Sequence, residues 1–440
     1  MSNPTLAVPA GWTTDPAVLA AHRLDRSGFD PGGSPAAVVF AESVADVAAV
    51  LAHAGATHTP VVVRGAGSGL SGGAVAGEGS IVLDLTRLDR IHEVSAADEL
   101  AVVEAGVVTA DLDAAAAAHG LRYAPDPASV AFSTIGGNIA TNAGGLRCAK
   151  YGVTRDSVLG LDVVLADGRR IATGRRTVKG VAGYDLTSLF VGSEGTLGVI
   201  VGATVRLRPI PLRTATLAAW FADFGAAAAA AAAITAARLQ PAVAELLDEV
   251  CLAALGDDRG GAFLLVQTDG YGAEAELDAV RAVVEPRAER VELGTDPERA
   301  EALLATCRAA LPALERLGRV LVEDVAVPRS RLPEAVAAIG AISRRSGIRI
   351  ATMAHAGDGN LHPILVLDHG RALDDEVWAT AGEVFTTALR LGGTLTGEHG
   401  VGLLKRRWLR EELGDDVLGL QQDLKAVFDP HHLLNPGKAL

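Results

Sequence analysis

The chain has 440 residues, too many for one ordinary hydrophobic core and enough for two or three packed domains. Hydrophobic residues make up 49% of it and aromatic residues only 4%, so alanine supplies much of the apolar fraction. The formal net charge of -14 argues against nucleic acid or an anionic membrane surface as a partner, because both need a basic face.

The three cysteines, Cys148, Cys251 and Cys307, lie far apart and form neither a CxxC pair nor an even framework. This usage indicates free thiols in a reducing compartment. The opening residues MSNPTLAVPAGW lack a basic segment followed by an apolar one, so no secretory signal is predicted. The alanine-rich run at 225–237 is shorter than the roughly 20 residues that span a bilayer. We therefore expect a cytoplasmic protein without a transmembrane segment, with peripheral association at the inner face of the membrane left open.

Residues 36–64 are predicted to form a strand, a helix and a second strand. The helix begins after Ser43, an N-cap with Asp46 three residues later, and is expected to end near Gly55. The second strand, PVVVR, leads into a glycine-rich loop, and a third strand, SIVLDL, follows. Strand, helix, strand, loop and strand in this order indicate an α+β or α/β domain.

The rest of the chain divides by composition. A block from about 100 to 210 contains the helix TADLDAAAAAHG, a long polar and glycine-rich stretch at 125–152, and several short strands. Pro209 and Pro211 mark a predicted boundary, after which strands alternate with long amphipathic helices, as is typical of a separate domain. The last fifty residues hold another glycine motif and the terminus NPGK. The predicted divisions are 1–34, 35–212, 213–390 and 391–440.

The first glycine-rich segment, 64–73, resembles a dinucleotide fingerprint only in part. Position 70 is leucine where GxGxxG needs its third glycine, and a strand rather than a helix follows. Consecutive small residues after a buried strand can point several backbone amides at one anion, which suits a pyrophosphate. A glycine-rich hairpin would have the same composition.

Two further segments are rich in small and polar residues. The segment 125–145 is too polar for a core and much longer than an ordinary connection of about 4–6 residues. The segment 192–200 enters a strand and offers more backbone groups. Three such segments in one half of the chain favour a cradle for a large polar cofactor.

These segments resemble the FAD-binding domain of the vanillyl-alcohol oxidase/p-cresol methylhydroxylase superfamily (the FAD-binding oxidoreductase/transferase type 4 family). From about residue 35 onward, the chain is similar to the branch of D-lactate dehydrogenases, D-2-hydroxyglutarate dehydrogenase and the glycolate oxidase flavin subunit. The resemblance implies an α+β fold, with a two-subdomain PCMH-type FAD-binding domain at 35–212. It also implies a ferredoxin-like α+β cap, the substrate domain, at 213–390 and a segment at 391–440 that returns to the FAD domain.

By this resemblance the first segment holds the pyrophosphate, the second lines the ribityl chain and flavin, and the third approaches the adenine or the ring. Members that bind flavin covalently often carry a histidine beside the first loop, where this chain has Ser68, so non-covalent FAD is expected. The residues implied in FAD binding are Arg64, Gly65, Ala66, Gly67, Ser68, Gly69, Leu70, Ser71, Gly72, Pro125, Asp126, Ser129, Thr134, Gly136, Gly137, Asn138, Thr141, Ala143, Gly144, Gly145, Glu194, Gly195, Ile200 and Asn435.

An independent signal lies in the sequence HAGDGNLH. Residues 348–355 are predicted to form a strand, 356–360 a tight turn and 361–368 the return strand. Such a hairpin places His355 and His362 near its closed end, where both imidazoles can reach one ion. A surface hairpin with two solvated histidines is the alternative.

A candidate third ligand lies in TGEHGVG, where Glu398 and His399 are adjacent. A His/His/carboxylate set with open positions is a common catalytic arrangement for Zn or Fe, and Mn is compatible with it. The resemblance assigns His355, His362 and Glu398 as metal ligands, His399 as the catalytic base and Asn360 as a supporting catalytic residue.

The chemistry expected of this set is oxidation of a small anionic D-2-hydroxy acid. The metal lowers the pKa of the substrate hydroxyl, neutral His399 takes the proton, and the flavin accepts the hydride. The resemblance also gives Arg308 as the clamp for the substrate carboxylate, although an arginine on a helix usually lies on a solvated face. The 2-hydroxyglutarate enzymes carry a lysine just before a D-x-x-x-P segment, whereas residues 321–328 contain none. D-lactate or a glycolate-like acid is therefore favoured over a dicarboxylate.

Three alternatives remain. A non-redox FAD transferase resembling alkyl-dihydroxyacetone-phosphate synthase would need a basic phosphate-binding cluster in the cap, which the sequence does not clearly show. A metal hydrolase would leave the glycine-rich segments unexplained. An electron-relaying subunit of a larger complex is the third, and a homodimer is equally open. The electron acceptor is open among a quinone, a cytochrome, an electron-transfer flavoprotein, oxygen and, in vitro, a dye.

Overall fold

The computed structural model of the protein describes residues 9–294 and 296–440, with the backbone alone at Pro297. Residues 1–8 of the predicted N-terminal segment therefore lie outside the described residues. The contacts within the chain divide it into two units. Unit 1 comprises Met1–Ala143, Val153–Ile210 and Glu398–Leu440, and unit 2 comprises Gly144–Gly152 and Pro211–Gly397.

The elements up to Ile210 are mostly short strands. The strands are β1 (Trp12–Thr13), β2 (Ala37–Phe40), β3 (Val61–Arg64), β4 (Ile81–Asp84), β5 (Ile91–Ser95), β6 (Leu100–Glu104), β7 (Leu121–Arg122), β8 (Val158–Val164), β9 (Arg170–Gly174), β10 (Val199–Arg206) and β11 (Arg208–Pro209). The helices are α1 (Pro16–His22), α2 (Val44–Thr57), α3 (Thr109–Ala117), α4 (Ile135–Thr141), α5 (Cys148–Tyr151), α6 (Thr154–Ser157) and α7 (Leu186–Phe190).

From Pro211 onward, longer helices alternate with strands. The strands are β12 (Thr214–Phe221), β13 (Val243–Leu247), β14 (Ala262–Asp269), β15 (Arg290–Gly294), β16 (Arg319–Val322), β17 (Val325–Ala326), β18 (Arg349–His355) and β19 (Asn360–Leu367). The helices are α8 (Phe224–Ala236), α9 (Glu249–Leu255), α10 (Ala273–Val284), α11 (Pro297–Glu315), α12 (Leu332–Ser346), α13 (Asp375–Arg390) and α14 (Leu409–Phe428), with single 3-10 turns at Glu285–Arg287, Arg329–Arg331 and Arg406–Trp408.

Unit 1 contains a four-stranded sheet of order β1-β2-β4-β3, a five-stranded sheet of order β5-β6-β10-β8-β9, and the pair β7–β11. Strands β2, β4 and β3 run parallel, and their side chains are almost all buried, which explains their uninterrupted apolar sequences. The C-terminal residues pack on this sheet, since the amide of Val61 donates to the carbonyl of Leu433 over 2.7 Å.

Two local features go beyond what the sequence predicted. Helix α2 passes through Gly55 and ends at Thr57, because His58 adopts the left-handed conformation and its amide bonds to Ala54. The polar and glycine-rich stretch 125–152 contains two helices that the sequence did not predict, α4 and α5. Thr134 starts α4 by accepting a hydrogen bond from the amide of Gly137, which offsets the low helix propensity of the glycines.

Unit 2 is built on an antiparallel eight-stranded sheet of order β15-β12-β14-β13-β18-β19-β16, with β17 paired to β19. The alanine-rich run forms α8, capped by Asp223, and buries several alanines against its neighbours. Between residues 9 and 440, position 295 aside, no helix combines the length and apolar character needed to cross a bilayer. The α+β architecture agrees with the fold predicted from the sequence.

A buried ion pair fixes the turn that follows α14 in unit 1. The ammonium of Lys425 donates to the fully buried carboxylate of Asp429 and to the carbonyl of Leu434. The same carboxylate accepts from the amides of Leu433 and Leu434 over 2.9 and 2.8 Å.

We expect Asp429→Ala to lower the free energy of unfolding by about 3–5 kcal/mol, because it leaves a buried ammonium and two amides without their acceptor. Urea unfolding measures the change, and Asp423→Asn on the exposed side of α14 serves as the control. A loss below about 1 kcal/mol for Asp429→Ala would contradict this account of the turn.

A second buried carboxylate makes the stability of unit 2 depend on pH. Asp248 caps α9 by accepting from the amide of Cys251, and it also accepts from the amide of Thr352 over 2.6 Å. Burial raises the pKa of Asp248 from 3.8 to about 7. The folded pKa lies above the unfolded one, so the stability contributed by the protonated acid is complete below the unfolded pKa and is lost as pH rises through about 7.

Asp248→Asn keeps the capping oxygen and cannot ionise. We expect the free energy of unfolding of Asp248→Asn to increase relative to that of the wild-type protein as pH rises from 4 to 8. The exposed control Asp258→Asn should differ from the wild type by the same amount at every pH. Urea unfolding at several pH values measures this, and a pH-independent difference for Asp248→Asn would refute the assignment.

Candidate active site

The two hairpin histidines meet on one face of the sheet in unit 2. Strands β18 and β19 pair with His355 opposite Asn360 and Met353 opposite His362, so the two histidines are diagonal neighbours. Their ring centroids lie 5.0 Å apart with the rings nearly perpendicular. The sequence HAGDGNLH therefore folds as the hairpin predicted from it.

A buried carboxylate on the neighbouring strand orients His355. Glu245 on β13 lies opposite His355 in the strand register, and both of its oxygens are 2.8 Å from Nδ1 of the imidazole. Burial raises the pKa of Glu245 to about 7, and the charge of His355 opposes that rise. Because Nδ1 of His355 faces Glu245, a metal ion would bind the other ring nitrogen, Nε2.

Asp324 occupies the corresponding place behind His362. Its side chain is fully buried, and Oδ1 lies 3.8 Å from Nδ1 of His362. The other oxygen accepts from the hydroxyl of Thr396 over 2.7 Å and from the amide of Gly397 over 2.9 Å. Asp324 thus lies beside the hairpin histidine and is hydrogen-bonded to Thr396 and Gly397, the residues that precede Glu398.

Asn360 packs against the same stretch. A Cβ on Gly397 would come within 2.3 Å of Oδ1 of Asn360, so only glycine fits there without displacing the amide. Glu398 and His399 follow as the first residues of the last segment of unit 1, with 3.7 Å between Oε1 of Glu398 and Nε2 of His399. Their roles as ligand and base stay predictions.

The first glycine-rich loop in unit 1 has its carbonyls bound and its amides available. The carbonyls of Gly67 and Gly69 accept from the amides of Arg26 and Ser27 over 3.0 and 3.2 Å. Within the described chain, no backbone amide of residues 66–73 donates to a protein acceptor. A row of free amides is the donor set that binds a phosphate, so the loop fits the FAD diphosphate.

The second segment uses several predicted cofactor residues for its own structure. The amide nitrogen of the Asn138 side chain donates to Thr109 over 2.7 Å, and the Thr141 hydroxyl donates to the carbonyl of Gly137. A Cβ on Gly65 would come within 2.3 Å of Oγ1 of Thr134, so the first loop lies directly on the start of α4.

The other residues of this segment are distributed between the units. Gly136 is closed in by Ala105, and the irregular chain before α4 carries Pro125, Asp126 and Ser129. Ala143 ends one part of unit 1, whereas Gly144 and Gly145 begin the short stretch assigned to unit 2. Direct contact of these residues with FAD stays a prediction.

Glu194 and Asn435 tie the C-terminal segment to the rest of unit 1. The buried carboxylate of Glu194 accepts from the amides of Val401 and Gly402 over 2.7 and 2.8 Å, and burial raises its pKa. Asn435 accepts from the amide of Val63 and donates to the carbonyl of Glu194. Gly195 has a positive φ of 70° beside that amide, and Ile200 belongs to the apolar core.

The structure places Arg308 on α11 with a half-exposed side chain in an ion pair with Glu301. Its role as a substrate clamp stays a prediction. Sequence reasoning missed the two carboxylates behind the histidines, Glu245 and Asp324. Glu245 sits in an apolar strand about a hundred residues before its partner, and only the strand pairing reveals the contact.

Comparisons with known proteins bear on the family of the chain. Residues 35–174 match the family described as FAD binding domain, and residues 210–439 match FAD linked oxidases, C-terminal domain. The glycolate oxidase subunit GlcD of Bacillus subtilis (strain 168) is 42% identical over 416 residues, covering 92% of this chain and 88% of the relative. A D-lactate dehydrogenase of Anaerostipes hadrus is 33% identical, covering 92% of this chain and 89% of the relative.

Solved structures extend the likeness to the fold. p-Cresol methylhydroxylase with substrate bound has a TM-score of 0.80 at 16% identity, covering 98% of this chain and 93% of that one. Alkyldihydroxyacetonephosphate synthase has a TM-score of 0.77 at 19% identity, covering 99% and 86%. These identities show a shared fold alone, and they confirm the PCMH-type fold predicted from the sequence. The family matches and the relatives together show that the chain belongs to the FAD-linked oxidases.

Proposed function

We propose that the chain is an FAD-dependent dehydrogenase that oxidises a D-2-hydroxy acid, D-lactate or a glycolate-like acid, to the 2-oxo acid. The observation that carries this proposal is the pair of imidazoles on the β18–β19 hairpin, with a buried carboxylate 2.8 Å from His355 and another 3.8 Å from His362. Relatives that cover most of the chain are named as a glycolate oxidase subunit and as D-lactate dehydrogenases, which supports the substrate class.

The donor set suits a divalent cation. A carboxylate hydrogen-bonded to a metal-binding histidine fixes its orientation and raises its basicity. Glu245 stands in this relation to His355, and Asp324 lies 3.8 Å from His362. His355, His362 and Glu398 would supply two nitrogens and one oxygen, a set compatible with Zn, Mn or Fe. Glu398 follows directly after Gly397, whose amide is held by Asp324.

The residues of the chain would bind and orient the acid and remove its hydroxyl proton. When bound, the cation would lower the pKa of the substrate hydroxyl and FAD would accept the hydride from the same carbon. His399 would take the hydroxyl proton as a neutral base, and Asn360 would position the substrate by hydrogen bonding. Holding the acid in one orientation is the larger part of such catalysis.

Substrate size is constrained by the segment between β16 and β17. Its residues Glu323 and Asp324 are 1% and 0% exposed, and the stretch 321–328 carries no lysine. By the resemblance, a lysine just before this D-x-x-x-P segment would hold the second carboxylate of a dicarboxylate substrate, and this chain has none there. A monocarboxylate therefore fits better than a dicarboxylate such as D-2-hydroxyglutarate.

The test is anaerobic reduction of the purified holoprotein followed by visible absorption. We expect D-lactate or glycolate to bleach the flavin band, and L-lactate to leave it unchanged. His355→Ala should slow bleaching by more than the roughly 10–100-fold cost of losing an outer-shell partner, because it removes a ligand. The exposed His369→Ala serves as the matched control.

Two different results would contradict the proposed reaction and the proposed metal role, respectively. A flavin spectrum that no D-2-hydroxy acid bleaches would reject the dehydrogenase, and unchanged bleaching in His355→Ala would reject the metal role of the hairpin.

Glu245→Gln tests the orienting carboxylate. It keeps the volume of the side chain but removes the charge facing Nδ1 of His355, so we expect affinity for Mn²⁺ or Zn²⁺ to fall by about 10–100-fold. Titration against a competing chelator measures the change, with the exposed Glu249→Gln as the control. Equal affinities in Glu245→Gln and the wild-type protein would show that Glu245 does not support a metal site.

A further inference from the structure

The side chain of Lys438 near the C-terminus of unit 1 is buried without an acceptor. It is 4% exposed, and in residues 9–294 and 296–440 its Nζ finds no hydrogen-bond partner. The backbone around it is fixed, since the amide of Ala439 donates to the carbonyl of Gly402 over 3.1 Å. A buried ammonium with no acceptor is costly, so a ligand that supplies one would be bound favourably.

The charged groups that act on Lys438 are Asp25, Glu194 and Arg64. All three touch the framework of the glycine-rich loop. The carboxylate of Asp25 accepts from the amide of Ala74 over 3.2 Å, and a Cβ on Gly67 would lie 2.1 Å from the guanidinium of Arg64. Lys438 therefore belongs to a cluster of four charged side chains next to the loop, together with Asp25, Glu194 and Arg64.

Both carboxylates of the cluster are already used by the protein. Asp25 accepts from Ser27 as well as from Ala74, and Glu194 accepts from the amides of Val401 and Gly402. Burial lowers the pKa of Lys438 to about 7, although Asp25 and Glu194 act to raise it. Neither carboxylate accepts a hydrogen bond from Nζ of Lys438, so the ammonium has nearby charges but no acceptor among the described residues.

The glycine-rich loop also contains a buried polar side chain that lacks a hydrogen-bond partner among the described residues. Oγ of Ser71 is buried and has no partner among the described residues, while the carbonyl of Ser71 accepts from the amides of Leu403 and Leu404. These contacts join the loop to the chain segment on which Ala439 is anchored. Ser71, Lys438 and the amides of 66–73 therefore carry donors without a protein acceptor, and the chain segments that carry them are hydrogen-bonded to one another.

We propose that Lys438 is a cofactor-binding residue whose ammonium neutralises the diphosphate of FAD at the glycine-rich loop. Oxidised FAD carries its negative charge on the diphosphate, so a buried cation in this place acts on that group rather than on the neutral flavin ring. The inference rests on FAD as the cofactor of the proposed function and adds an anchoring residue from the far end of the chain.

The test compares Lys438→Met with the wild-type holoprotein and with Lys179→Met, which removes an exposed lysine from unit 1. FAD release after dilution is followed by flavin fluorescence, and FAD affinity is measured on flavin-stripped protein. We expect Lys438→Met to weaken FAD binding by about 10- to 100-fold, the effect of losing one hydrogen bond to a charged group. Lys179→Met should match the wild type.

Stability distinguishes cofactor binding from a structural role. Because the ammonium lacks an acceptor in the protein, flavin-free Lys438→Met should melt at the wild-type temperature or above it, and only the stabilisation by added FAD should shrink. Lys438→Gln, which is polar but uncharged, should behave in the same way. Failure of both variants to fold would overturn the proposal, since the ammonium would then stabilise the protein itself.

ADP identifies the part of FAD that is contacted. ADP shares the diphosphate and lacks the flavin, so its affinity should fall in Lys438→Met by about the same factor as that of FAD. A loss for FAD without a loss for ADP would place the contact at the ring and overturn the assignment to the diphosphate. Wild-type affinities for both ligands in a folded variant would reject any cofactor role. These measurements use no hydroxy acid, so they fail independently of the proposed substrate.

Discussion

Burying a charge is costly unless the protein or a ligand compensates it, and both units contain buried charges at the proposed sites. In unit 2, Glu245 and Asp324 lie directly behind the hairpin histidines. In unit 1, Arg64 and Lys438 lie beneath a glycine-rich loop. The rest of each proposed site follows from how these charges are satisfied.

The groups that surround the two proposed sites differ, and so does the ligand each site would bind. Carboxylates beside two imidazoles favour a cation, as expected for a metal ligand set. Cations and free amides around the loop 66–73 favour an anion, as expected for a diphosphate. An oxidation that uses a metal and FAD needs both kinds of site, which links the electrostatics of the fold to the chemistry proposed for it.

The sequence predicted the features that depend on local pattern. The β18–β19 hairpin was predictable because an Asp-Gly turn joins two apolar strands, and the buried strand β3 because its residues are continuously apolar. The carboxylate behind His355 was not predictable, since its position depends on strand pairing across about a hundred residues. Helix α4 was missed because glycines disfavour helices, and its N-cap Thr134 was the one local signal.

The most direct measurement is anomalous X-ray scattering from crystals of the holoprotein grown with Mn²⁺. A metal centre on the hairpin requires a peak within about 2.0–2.3 Å of Nε2 of both His355 and His362, with Glu398 as the third ligand. Density for FAD with no anomalous peak at the two histidines would contradict the metal-dependent dehydrogenase proposed for this chain.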